Sequence, residues 1–167
     1  PAQPFGLSVY GMGREVATNP SNTDVLVHHG ATDAPTVDVY ETGVGAGLIV
    51  DNMSYGEFNS AGYLELPTAD YTLEVRDETG AVTVATYSAP LSTLSLNGAA
   101  LVVVASGFLN PANNSNGEAF GLYVALPSGG ALIPLPALAS TTARLQIIHN
   151  SADAIADPVD IYVNGNL

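Results

Sequence analysis

Short apolar runs alternate with clusters of turn-forming residues along the chain, and no stretch of eleven residues holds a convincing helical stripe. Residues 5–10 (Phe-Gly-Leu-Ser-Val-Tyr) predict a short strand, and residues 11–23, rich in Gly, Asn, Ser and Pro, predict a linker. An apolar strand over 25–29 meets a turn over 30–35, where Asp33 can accept local amides and Pro35 fixes φ. Over 36–41 the pattern alternates, with Val37 and Val39 on one face and Asp38 and Tyr40 on the other. Gly43, Gly45 and Gly47 open a loop before the apolar run 48–50, and residues 62–66 predict a strand ended by Pro67. Over 71–76, Tyr71, Leu73 and Val75 face inward while Thr72, Glu74 and Arg76 face outward. Asp77-Glu78-Thr79-Gly80 predicts a hairpin turn, after which 81–87 returns with Val82 and Val84 on one face. Residues 91–96 alternate Leu with Ser or Thr, and Asn97-Gly98 is a turn dipeptide. The unbroken apolar run 99–105 fits a central strand. A polar loop over 110–117, a closing strand over 119–126 and a Pro/Gly-punctuated connector over 127–138 follow. Many short strands with closely spaced turns predict an all-β fold, an antiparallel β-sandwich. Val37, Val39, Leu73, Val75, Leu101 and Val103 are expected in its core.

One stretch occurs twice. Residues 29–40 read His-Gly-Ala-Thr-Asp-Ala-Pro-Thr-Val-Asp-Val-Tyr, and residues 149–162 read His-Asn-Ser-Ala-Asp-Ala-Ile-Ala-Asp-Pro-Val-Asp-Ile-Tyr. Aligned at the histidines, His29, Asp33, Asp38 and Tyr40 match His149, Asp153, Asp160 and Tyr162, with two extra residues in the second copy. Phe5-Gly6-Leu7 likewise returns as Phe120-Gly121-Leu122, ahead of the second motif as the first triplet is ahead of the first. A repeat at about 120 residues is the size of a small domain. The expected organisation is therefore a terminal strand and linker over 1–22, resembling the end of a preceding module, a whole module over 23–142, and the start of another over 143–167. The apolar residues of the two ends are expected to contact neighbouring modules: Phe5, Leu7 and Val9 at one, and Leu145, Ile147, Val159 and Ile161 at the other. Either the chain belongs to a longer tandem array, or its ends complete neighbouring subunits by strand addition, a heterologous contact that builds a filament. The chain starts at Pro1 without a signal peptide, which fits a removed leader or a cut from a longer chain.

The pattern His-x-(Ser/Ala)-x-Asp-Ala, a short gap, then Val-Asp-(Val/Ile)-Tyr-x-x-Gly resembles the secreted bacterial and archaeal domain-of-unknown-function family 4397. His29, Ala31, Asp33, Ala34, Val37, Asp38, Val39, Tyr40 and Gly43 carry the likeness, and residues 149–165 carry it again. Residues 62–67 and 71–75 are also similar to that family. The resemblance implies an immunoglobulin- or transthyretin-like sandwich, arranged in tandem on an exported, cell-surface protein, and it implies no catalytic residues. Asn97-Gly98 followed by Ala99-Ala100 departs from it, since an aromatic is expected before the apolar strand.

Composition narrows the function further. Sixteen acids face three basic residues, Arg14, Arg76 and Arg144, for a net charge of −13. Three scattered arginines cannot form the basic stripe that nucleic acid requires, and they suit anionic membranes no better. The longest apolar run is too short to insert directly into a bilayer. Such negative charge favours solubility and suits high salt or a cation-rich exterior. With no cysteine there is neither a disulfide nor a thiolate metal site.

Candidate chemistry is sparse. His28, His29 and Asp33 with Asp38 resemble a metal cluster, but adjacent strand residues point to opposite faces and cannot both serve one ion. The His29/Asp33 pairing is expected to tie a strand end to its turn by hydrogen bonds, and Asp38 to accept turn amides. Asp33 and Asp38 are the first places for a calcium ion if one binds. Gly43-x-Gly45-x-Gly47 lacks the third glycine spacing and the helix of a phosphate loop. No Gly-x-Ser-x-Gly elbow occurs, so no enzyme activity and no cofactor are expected. Asn52 and Asn113 each open a glycosylation sequon. The expected function is a non-enzymatic structural or adhesive module outside the cell. The alternative is a module binding glycan or calcium.

Overall fold

Two five-stranded sheets realise the alternating pattern in the computed structural model, which describes residues 6–139. The first runs in the order β4 (Leu64–Pro67), β1 (Asn22–His29), β7 (Ala100–Ser106), β8 (Gly121–Ala125), β9 (Ile133–Pro134). The second runs β10 (Ala137–Leu138), β6 (Thr83–Pro90), β5 (Asp70–Asp77), β2 (Val37–Glu41), β3 (Gly47–Met53). The sheets pack as a β-sandwich, because each has one apolar face to remove from water. Val25, Val27, Leu101, Val103, Leu122 and Val124 from the first sheet share one core with residues of the second, among them Val39, Leu73 and Tyr87. All six core residues expected from the sequence are buried, at 2% to 9% exposure.

The apolar run over 99–105 becomes β7, central as expected, between β1 and β8. One pairing departs from an all-antiparallel sandwich: β1 and β7 run parallel, with Asp24 beside Ala100 and His29 beside Ala105. Between them the chain visits the second sheet for β2 and β3, returns for β4, and leaves again for β5 and β6. A crossover of this length lets β7 enter in the same direction as β1, which a tight hairpin cannot do.

Two further stretches differ from their local pattern. Residues 91–96 form a tight turn, with Leu94 N donating to Pro90 O and Ser95 N to Ser92 O. The Asp70 carboxylate accepts the Ser92 and Thr93 amides and holds the turn against β5. Residues 127–138 do more than connect. Ile133 pairs with Val124, Leu135 is buried and donates its amide to Leu122 O, and Ala137 pairs with Tyr87 in the other sheet. One short segment thereby adds an edge rung to both sheets. Its prolines are tolerated because an edge position asks for no amide on the solvent side.

The N-terminal expectation needs correction. Residues 6–10 form no strand, and Leu7 and Val9 are 84% and 76% exposed. Residues 11–23 are no free linker. Ala17 N donates to Gly98 O, Thr18 N to the Asp24 carboxylate, and the Arg14 guanidinium lies 2.6 Å from Asp24 and 2.9 Å from Glu65. Arg14 also lies over the Tyr63 ring at 4.8 Å, and the Tyr10 ring lies 5.3 Å from Phe58. The physical reason is Asp24, a strand carboxylate that is wholly buried and must be partnered. Arg14→Ala removes that cation. The expected results are a lower thermal midpoint and faster limited proteolysis over residues 11–19, read by mass spectrometry; unchanged cleavage would show the strap is held without the clasp.

Candidate functional site

The repeated motif occupies the end of β1, the turn after it and β2. As residue parity requires, its two histidines take opposite faces. His28 stacks on Phe58 at 4.3 Å between ring centroids, and its Nδ1 donates to Glu57 O at 2.9 Å. Burial, reinforced by the neighbouring His29, holds the His28 imidazole below its ordinary 6.5, against the opposing pull of that hydrogen bond. His29 is completely buried between the sheets. Its Nε2 lies 3.0 Å from Pro35 O, and because a carbonyl only accepts, Nε2 carries the proton. Nδ1 is left as a buried acceptor with no partner among the described residues. His29 thus ties the strand end to its turn as expected, but through Pro35 and not through Asp33.

Asp33 reaches elsewhere. Its two carboxylate oxygens accept from Leu109 N at 2.9 Å, Asn110 N at 3.0 Å and Asn114 Nδ2 at 3.0 Å. These bonds, the Asn110 amide first, hold its carboxyl below the ordinary aspartate range. The motif turn is therefore stapled to the β7–β8 loop, 76 residues away in sequence. Asp33→Ala should abolish the slow hydrogen exchange of the Leu109 and Asn110 amides while β1 and β7 amides stay protected. Exchange in that loop that is unchanged would mean the staple is not what orders it.

Asp38 accepts Asn52 N at 2.7 Å, an amide of the neighbouring edge strand β3 at a register shift. Beside it, Tyr40 lies under the Arg76 guanidinium at 4.1 Å and packs so closely on Gly80 that a side chain there would strike the phenol. Gly80 has φ +68°, so glycine serves both the turn and the contact. Asp33 thus serves the β7–β8 loop, whereas Asp38 serves the edge strand β3 and not the turn amides expected of it. No group of three or more His, Cys, Asp or Glu side chains among the described residues is placed to hold one metal ion. The matching His149, Asp153, Asp160 and Tyr162 lie outside the described residues, as do Phe5, Leu145, Ile147, Val159 and Ile161.

The residue the sequence concealed is Glu41. It is 2% exposed, and its carboxylate accepts the amides of Gly43, Val44, Ala46 and Thr72 at 2.7 to 3.3 Å. The glycine-rich loop is thus a cradle built around an internal anion, not around a phosphate. Burial pushes the Glu41 carboxyl up, but the four amides outweigh it and leave it below the ordinary range. The only sequence cue is an acid followed by alternating glycines. The repeat hides it, because Val163 stands at the matching place.

Between the sheets lies a void of about 40 Å³, apolar apart from His29. Small-molecule sites occupy about 300–1,000 Å³, so this void is far smaller than an organic ligand needs. On the surface, beside the motif turn, lies a groove of about 440 Å³ lined by Thr32, Ser106, Phe108, Glu118, Tyr123 and Leu132 among others. One wall is the motif turn, and another is the loop that Asp33 staples. Comparison with protein-family models, with curated proteins and with solved structures yields no match for this chain.

Proposed function

We propose that this chain is a non-enzymatic structural module of an extracellular or cell-surface protein, a sandwich of the immunoglobulin- or transthyretin-like kind set among similar modules. The observation that carries the reading is what the repeated residues do. His29, Asp33, Asp38 and Tyr40 each spend their polar or aromatic groups on joining strands and loops of their own sandwich. A motif repeated for packing and hydrogen bonding marks a repeated fold, whereas a repeated active site would leave reactive groups converging on a cleft. The net charge of −13 and the resemblance to the secreted family support the exterior location.

The repeat also favours neighbouring modules of one chain over strand exchange between separate subunits. Residues 143–167 match only the segment that builds β1 and β2, and residues 5–7 match only the start of β8. In the sandwich, β1 and β8 do not pair with each other; both flank β7, while β2 leans on β5. A piece from near the close of a module, then a whole module, then the opening of another is the order of modules in series. The exposed Leu7 and Val9 favour the filament reading instead. Light scattering across concentration separates the two: monomers at all concentrations accord with modules in one chain, and concentration-dependent growth with strand exchange.

The scaffold role itself is tested by metal. Calcium, zinc and a chelator should each leave the thermal midpoint unchanged, read by circular dichroism. Stoichiometric calcium binding that raises the midpoint would replace this reading with a ligand-binding one.

A further inference from the structure

We infer that the surface groove beside the motif turn is a subsite for a neutral saccharide. This goes beyond the scaffold role and does not depend on it. The first observation is how its two aromatic rings are seated. A Cβ at Gly121 would lie 3.1 to 3.2 Å from three atoms of Tyr123, and a Cβ at Gly117 would lie 2.6 Å from the Phe108 ring. Each ring thus lies close on a glycine: a Cβ at 117 would strike the Phe108 ring, and one at 121 would crowd the Tyr123 ring by a few tenths of an ångström. Tyr123 rests on β8 itself and Phe108 on the loop after β7. An aromatic ring held this way is a rigid apolar plate, which costs little ordering entropy when a ligand arrives.

The second observation is the chemistry around the plates. The residues lining the groove include three that carry hydroxyls, Thr32, Ser106 and Tyr123, and one that carries a carboxylate, Glu118. The polar contacts of the adjoining loop run to Asp33 instead, from Leu109, Asn110 and Asn114, so the wall is positioned from behind. Hydroxyls both donate and accept, and a carboxylate accepts strongly from ligand hydroxyls. A pyranose ring matches this mixture. One of its faces is lined by C–H groups and can lie on an aromatic ring, while its hydroxyls point sideways toward polar groups. An anion is disfavoured, since the two arginines among the described residues, Arg14 and Arg76, are paired elsewhere and the chain carries net charge −13. An organic cation would use Glu118 and the rings but leave the Thr32 and Ser106 hydroxyls unused. The volume, about 440 Å³, lies within the usual range for small-molecule sites.

The test is a titration of the whole ¹⁵N-labelled chain with neutral trisaccharides of glucose, galactose and mannose, and with tetramethylammonium chloride as the cationic probe. The expected result is saturable amide shifts at Thr32, Ser106, Phe108, Glu118 and Tyr123 with at least one saccharide, at concentrations up to about 10 mM. Tyr123→Ala should weaken that binding about tenfold or more. Glu118→Gln, on an exposed loop and harmless to folding, should weaken it severalfold and guards against misfolding of the first variant. The proposal is overturned if no saccharide moves these amides, if only tetramethylammonium does, or if saccharide binding is untouched by both substitutions.

Discussion

Glu41→Ala should lower the stability of the sandwich by roughly 2–4 kcal/mol, although the residue sits at the end of a strand and next to a loop. Its carboxylate is 2% exposed and takes four amides. Removing it leaves the Thr72 amide, inside β5, facing a space where its acceptor stood. The Gly43, Val44 and Ala46 amides lie nearer the surface, where water can replace the lost acceptor, so the cost stays below four full desolvation penalties. At about 2–4 °C per kcal/mol for a chain of this size, the change corresponds to roughly 4–16 °C in the thermal midpoint. Glu41→Gln should also destabilise, because its amide nitrogen would face other N–H donors. A midpoint unchanged in both variants would show that the cradle forms without its anion.

Acid should expose the same interaction. The folded carboxyl of Glu41 is held below its unfolded value of 4.5. A depressed folded value means that the stabilisation is fully present above the unfolded pKa and is lost as pH falls through the folded one. The carboxyls of Asp33, Asp70 and Asp77, each held below 3.8 chiefly by backbone amides, act in the same direction. Unfolding midpoints measured downward from pH 5 should therefore fall steeply, and Glu41→Ala should flatten the first part of that fall. Parallel curves for variant and parent would remove Glu41 from the account.

Leu73→Ala is expected to cost about 2–5 kcal/mol, the usual sum of lost transfer energy and residual cavity. Leu73 stands on β5, in the middle of the second sheet, and lines the 40 Å³ void, so truncation enlarges a space that already exists. Strands on both sides limit how far the backbone can collapse into it. Val84→Ala is the control. Val84 lies on the neighbouring strand β6 and is apolar, but it is 51% exposed, and its loss should stay within about 0.5 kcal/mol. Urea titration of both variants separates burial from hydrophobicity. Equal costs would contradict the inward assignment of Leu73.

Period-two patterning determined much of this protein by itself. It placed Tyr71, Leu73 and Val75 in the core, put β7 at a centre, and divided His28 from His29, because side-chain alternation along a strand is local geometry. The repeat likewise pointed to residues that bind their own fold. Tertiary structure decided everything that depends on which distant segments meet. No local signal could reveal that β1 and β7 run parallel, or that Asp33 serves a loop 76 residues away and not His29. Residues 11–23 carry linker composition, yet they are held down because Asp24 is buried and requires Arg14. Glu41 carries only the faint mark of an acid ahead of alternating glycines until the chain folds its own loop around it. Tyr123 and Phe108 are ordinary aromatics in the sequence, and only the glycines beneath them and the loop held by Asp33 turn them toward a common groove. Alternation is written residue by residue, whereas the partners of a buried charge are chosen by long-range packing.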